Sequence, residues 1–303
     1  MEFLSRYKFE RVSDKIQGFK NYGVIDTDIK NVNFRTVIEE FCNENFLDNT
    51  LKYIESLCSQ INFLYSQRLG IKPAIVQYLP WSFSAHLSTF NDSNYIQIGK
   101  EFYNDAKDNK VRNIKKNQVG LFYLYSILHE TYHTYQNYNL HKYFNNEKCD
   151  ERVVDTELQS LLANFDNSGY LLKEQKVLYC TDLMEFDANV YAITKIMDLI
   201  DYGYIDKKFG DDFLKLQVEF YLENFLTKEN IDFTKNVMAE NLEKFKEILN
   251  FNDDDISISN IKSLKQMEQK LELIDFDKMY SGALKKVEEL KIDASINDVK
   301  ENV

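Results

Sequence analysis

The chain has 303 residues and a net charge of −12, with 44% hydrophobic and 14% aromatic residues. That length can bury a large core in one domain or in two to three smaller units, and the apolar content excludes a disordered chain. The acidic balance argues against a nucleic-acid partner, because phosphate contacts need clustered Lys and Arg.

Residues 1–30 are polar and lack a clean period. The opening stretch MEFLSRYKFERVSDKIQ has no apolar h-region, so no secretory signal is expected. From Phe34 to Leu69 the pattern turns helical, with Ile54, Cys58, Ile61 and Tyr65 in one stripe and Leu57 and Leu64 beside it. Gly70 ends that run as a helix C-terminal signal. Pro73 and Pro80 bracket 74-AIVQYL-79, a short β-type run. Next, 84-SAHLSTF-90 and 95-YIQI-98 alternate around the turn residues 91-NDSN-94. The three pieces predict a small antiparallel sheet whose last two strands form a hairpin with a four-residue loop. The basic stretch 107-KDNKVRNIKK-116 reads as a solvated loop before it reads as a docking patch.

The stretch 119-VGLFYLYSILHETYHTYQNY-138 places Leu121, Phe122, Leu124, Tyr125 and Leu128 at helical spacing ahead of His129, Glu130 and His133, in the order H-E-x-x-H. Residues four apart on a helix lie about 40° from each other around the axis, so both imidazoles project from one face and can grip one metal ion. Glu130 lies roughly 100° from His129, within reach of a water bound to that ion. The plainer alternative is a core helix whose histidines are satisfied by hydrogen bonds.

Beyond it, 151-ERVVDTELQSLLANF-165 is a helix by its spacing, and 167-NSG-169 breaks the pattern. The next helix is predicted over 181–200, with Thr181 or Asp182 as N-cap. After about residue 205 come three stripes: Leu214, Val218, Tyr221 and Phe225; Met238, Leu242, Phe245 and Ile248; Leu264, Met267, Leu271 and Ile274. They are core-facing surfaces of a helical array, with the acidic loop 252-NDDD-255 between two of them. The longest strongly apolar run, around 119–128, is far too short to cross a bilayer. Cys42, Cys58, Cys149 and Cys180 contain no C-x-x-C pair and read as reduced thiols. A cytoplasmic protein with no membrane partner is the expectation.

Two histidines do not hold a catalytic zinc; a third protein ligand and an open position are needed. The pattern H-E-x-x-H-x-x-G-x-x-H is excluded, because Gln136 and Asn139 occupy its glycine and third histidine positions and His141 comes two residues late. His86, in a predicted strand, reads as an ordinary strand histidine before a ligand. Among the acids between residues 147 and 198, Glu185 is the best candidate. Asn189, four residues on and on the same helix face, can hydrogen-bond a ligating histidine, whereas Asp187 points about 200° away and reads as solvent-facing or structural.

With His129-Glu130-x-x-His133 followed by 185-EFDANVYA-192, the chain resembles the gluzincin branch of zinc metallopeptidases. Within that branch it is similar to the ImmA/IrrE-like family of intracellular peptidases, over about residues 74 to 196. The interval between His133 and Glu185 is longer than that family usually shows. The resemblance implies one zinc ion per chain held by His129, His133 and Glu185, catalysis by Glu130, and a peptide or protein as substrate. The resemblance implies a mixed fold, and with the helical periodicity of the rest of the chain the expected fold is α+β and mostly helical. A zincin-like core over 71–204 carries the small antiparallel sheet, after an N-terminal helical segment (1–70) and before a helical C-terminal region (205–303). Two alternatives stand beside it: a zinc-containing regulatory or binding protein whose H-E-x-x-H site does not hydrolyse anything, and a structural protein with a metal-stapled core.

Overall fold

Apolar residues at helical spacing are helices in the computed structural model, which describes residues 34–79, 86–90, 93–99, 114–165, 177–179, 181–219, 226–250 and 258–300. Nine α-helices and three strands are assigned among these residues. The segment expected to be helical from Phe34 to Leu69 is two helices, α1 (Phe34–Phe41) and α2 (Leu51–Arg68), with a single 3₁₀ turn at Phe46–Asp48 between them. Its break is chemical. Asn49 donates its amide to the Phe46 carbonyl at 3.0 Å, and Thr50, the N-cap of α2, accepts from the Tyr53 N–H at 3.3 Å. At the far end of α2, Gly70 has φ of 68° and the Ile71 N–H donates to the Ser66 carbonyl, a left-handed C-terminal cap.

The strands are β1 (Ile75–Leu79), β2 (His86–Phe90) and β3 (Ser93–Gly99). The hairpin of β2 and β3 is antiparallel, with His86 opposite Gln97 and Phe90 opposite Ser93. Two residues, 91 and 92, therefore separate the paired strands, where a four-residue loop was expected. The sheet as a whole is not antiparallel. Its order is β1-β3-β2, and β1 runs parallel to β3 in the register Ile75 to Tyr95 through Leu79 to Gly99. β3 is the central strand, so the hairpin folds its second arm inward against β1. Val76, Ile96 and Ile98 form its buried face. The Tyr78 N–H on edge strand β1 donates to the Glu55 carboxylate of α2 at 2.9 Å, which blocks that point of the edge.

The remaining helices are α3 (Val119–Phe144), α4 (Glu151–Ala163), α5 (Leu183–Asp201), α6 (Lys207–Val218), α7 (Lys228–Asn250), α8 (Ile258–Leu271) and α9 (Phe276–Lys300). The described residues divide into two compact units: 34–135 with 188–217, and 136–187 with 218–300. α3 and α5 run through the division without a break. In the first unit, α1, α2, the sheet and the start of α3 share a core of Ile38, Phe41, Phe46, Ile61, Leu121 and Leu124. In the second, α4 packs against α7 and α8, and Val154, Leu158, Met238 and Met267 of these helices are buried.

Cys42, Cys58 and Cys149 are free thiols. Burial, with Glu39 and Asp206 nearby, pushes the Cys42 thiol up to about 12, and burial raises Cys58 as well. No helix among the described residues is long and apolar enough to cross a membrane. The basic stretch 107–113, the break at 167–169, the acidic loop 252–255 and the N-terminal 1–30 lie outside the described residues.

At the start of α3, Gly120 sits against α1. A Cβ there would lie 2.1 Å from the Phe41 carbonyl oxygen, a backbone atom that no rotamer change can move. Gly120→Ala is expected to destabilise the chain by about 1–3 kcal/mol or more, as overpacking does, read from chemical denaturation of variant and wild type.

Candidate metal centre

α3 is buried around its circumference over its first turns: Val119, Leu121, Phe122, Tyr123, Leu124, Tyr125, Ile127 and Leu128 are all inaccessible. A helix that is apolar on every side is a core helix, so the later turns of the same rod are held in a fixed place. Those later turns are polar yet still enclosed. Glu130 and His133 are buried and His129 is half-buried. Thr131 bridges from the Ile127 carbonyl to Asn62 of α2, its hydroxyl 2.6 Å from the first and 2.9 Å from the second.

The two imidazoles converge. Their Nε2 atoms are 2.9 Å apart, with ring centroids 4.5 Å apart and ring planes at 86°. Two nitrogens bound tetrahedrally to one zinc, each at about 2.0–2.1 Å, would stand roughly 3.3 Å apart, so a small turn of the rings admits the ion. A simple hydrogen-bonded pair of imidazoles accounts for the nitrogens but not for a third convergent donor. That donor is Glu185: one ligand atom from each of His129, His133 and Glu185 lies within 4.8 Å of the other two. Among the described residues this is the only such cluster of histidine, cysteine and acidic side chains, and it can hold a metal ion. Two neutral nitrogens and one carboxylate oxygen leave a fourth tetrahedral position for water or a substrate atom.

Glu185 is in the first turn of α5, which begins after Asp182. Asp182, not Thr181, is the N-cap, its Oδ1 accepting from the Met184 N–H at 2.9 Å. The sequence Asp182-x-x-Glu185 has the form of a capping box, in which Glu185 would turn back to the Asp182 N–H. That N–H instead points to the Tyr179 carbonyl, 3.4 Å away. The Tyr179 hydroxyl donates to Glu185 Oε2 at 3.0 Å, a contact that fixes one carboxylate oxygen.

Neighbouring polar residues have other work. Asp187 accepts from Arg152 at 2.8 Å; burial raises its carboxyl pKa, against the pull of that guanidinium. It is structural rather than solvent-facing. Asn189, expected to reach a ligating histidine, instead accepts a hydrogen bond from the Tyr125 hydroxyl. The Tyr125 ring lies 6.2 Å from that of His129, so Asn189 bears on the histidine through a tyrosine. Gln136 donates to the Met184 carbonyl at 2.9 Å, and Asn139 accepts from the Asp150 N–H at 2.8 Å. His86 lies on β2, and its side chain is outside the described residues.

Sequence reasoning gives no site role to Tyr125, Gln136 or Tyr179. Tyr125 stands four residues before His129 as Asn189 stands four after Glu185, a symmetric i,i+4 placement that could have marked it. Nothing distinguishes Tyr179 among 20 tyrosines. Comparison with protein-family models, with curated proteins and with solved structures finds no match, so the geometry carries the functional argument by itself.

Replacing Glu185 by Gln removes the anionic ligand, and metal affinity is expected to fall by more than the roughly 10–100-fold typical of a residue that only supports a ligand. Asp187→Asn, two residues away, should leave affinity within about 3-fold of wild type, because its partner is Arg152. Titration of both metal-stripped variants against a chromophoric chelator checks this. Retained binding in Glu185→Gln together with loss in Asp187→Asn would reverse the assignment.

Proposed function

We propose that the chain is a zinc metallopeptidase with a zincin-like core, holding one zinc ion on His129, His133 and Glu185. The carrying observation is the convergence of two imidazoles and a carboxylate, with Glu130 buried beside His129 on the same helix. Imidazole and carboxylate suit zinc, while structural zinc sites draw mostly on thiolates, and no cysteine belongs to this group. The free thiols Cys42, Cys58 and Cys149 agree with a reducing compartment, which supports a cytoplasmic location.

His129, His133 and Glu185 would hold the ion, which would supply Lewis acidity and a water acidified to a pKa of about 7. Glu130, not itself a ligand, accepts a proton from the attacking water and returns it to the leaving amine. Tyr179 holds Glu185, and Tyr125 packs beside His129, so both ligands keep their orientation through the reaction. The substrate reading is a peptide or protein segment that adds a strand to the sheet. Among the described residues β3 is paired on both sides, so the edges open to that segment are β2 and, apart from Tyr78, which Glu55 engages, β1.

Glu130→Gln separates an enzyme from a zinc-containing regulatory or binding protein. The amide keeps the shape and cannot take the proton. Zinc content and Tm should match wild type, while peptide-bond cleavage, followed by mass spectrometry on a peptide library, should fall by ~10²–10⁴ or more. Cleavage by neither protein, with equal binding of protein partners, would favour the non-hydrolytic reading. Loss of zinc in Glu130→Gln would make Glu130 a ligand and overturn the mechanism.

A further inference from the structure

We infer that Tyr280 of α9 is a positioning residue for the metal centre, fixing the first turn of α5 and, through it, Glu185. The inference rests on the metal reading of His129, His133 and Glu185, and it assigns a role to the C-terminal helices.

The turn that carries Glu185 is bound residue by residue to side chains from other helices. The Thr181 hydroxyl shares a hydrogen bond of 2.6 Å with Thr234 of α7, and the Thr181 carbonyl accepts from the Tyr280 hydroxyl at 3.2 Å. Asp182 Oδ2 accepts from Ser160 at 2.5 Å. The Leu183 N–H, one of the donors that a helix start leaves unpaired, is taken by Gln159 Oε1 at 3.0 Å. Gln159 then donates to the Tyr280 oxygen at 3.1 Å, closing a ring from α5 through α4 to α9 and back. Gln159, Thr181 and Thr234 are wholly buried and Tyr280 is nearly so.

Tyr280 is the joint of this ring, because its one hydroxyl both accepts from Gln159 and donates to Thr181. Burial, with Asp182 close by, raises its pKa, so the phenol keeps its proton at neutral pH and remains a donor. Without that hydroxyl, the Thr181 carbonyl loses its buried donor, and Gln159 keeps only the Met238 sulfur at 3.6 Å as partner for its amide donor. An unpaired buried polar group is costly enough to shift a short helix end toward another partner. Glu185 lies two residues beyond Leu183, so the shift reaches its carboxylate.

The test is metal binding by the full chain, with zinc and cobalt as probes. Tyr280→Phe keeps the ring and removes the hydroxyl; zinc affinity, measured by chelator competition, should fall about 10–100-fold, as when other outer partners of ligands are removed. Thr234→Val is the second variant and should weaken zinc in the same direction, so the test survives a poorly folded Tyr280→Phe. In a Glu185→Gln background, Tyr280→Phe should add less than about 2-fold, since the ligand it positions is gone. The cobalt absorption bands of Tyr280→Phe should shift toward those of Glu185→Gln. Wild-type zinc affinity and cobalt spectra in both folded variants would overturn the inference. So would an undiminished further loss on the Glu185→Gln background, which would mark a general packing role. Binding of neither ion by the wild type would instead overturn the metal reading, and this inference with it.

Discussion

A pair of imidazoles facing each other across 2.9 Å, on a helix with no solvent side over its first turns, constrains everything around it. Polar groups in such a place are costly without partners, since an unsatisfied buried group costs about 1–3 kcal/mol. The surrounding elements therefore supply partners in turn. α2 contributes Asn62 to Thr131, the backbone of α3 accepts from Thr131 and Thr134, and the carbonyl of Met184 takes the amide of Gln136. The apolar first half of α3 is buried in the core, and the polar residues that follow it take specific partners.

This division explains what could be read from the sequence. Helix periodicity is local, so α3 and α4 and the stripes of Ile54, Cys58, Ile61 and Tyr65 or of Met267 and Leu271 were legible, and those residues are buried. The β2–β3 hairpin was legible for the same reason, because turn residues sit beside the strands they join. The partner of β1 was not. Strands adjacent in sequence usually pair, yet β1 pairs with β3, beyond β2 in the chain, and Val76, Ile96 and Ile98 of that pair are buried. The break between α1 and α2 was not legible as a break either, although Asn43, Asn45, Asn49 and Thr50 are the residues that compete with a helix backbone.

Glu185 was legible for a reason that proves incomplete. The phase of the helix puts it on one face with Asn189, and its carboxylate does lie with the two imidazoles. Asn189, however, turns to Tyr125. Helical phase tells which side a residue faces; it does not tell which of several donors on that side will reach it first. A tyrosine one turn before His129 has the length to intercept the amide, and the spacing alone treats it as one more apolar position.

The two kinds of candidate ligand are not held in equivalent ways. His129 and His133 sit in the middle of a long core helix, where backbone hydrogen bonds and packing already fix them. Glu185 sits in the first turn of α5, and helix ends fray because their N–H groups lack partners within the helix. A negative side chain interacts favourably with the positive end of a helix dipole, by about 0.3–1 kcal/mol, and the same location threatens its position. The dense side-chain bonding around residues 181–183 answers that threat: Gln159 takes the Leu183 N–H, while Ser160, Thr234 and Tyr280 tie down Asp182 and Thr181. Two of those four come from α7 and α9, so the C-terminal helices belong to the architecture of the site even though they contribute no atom to it.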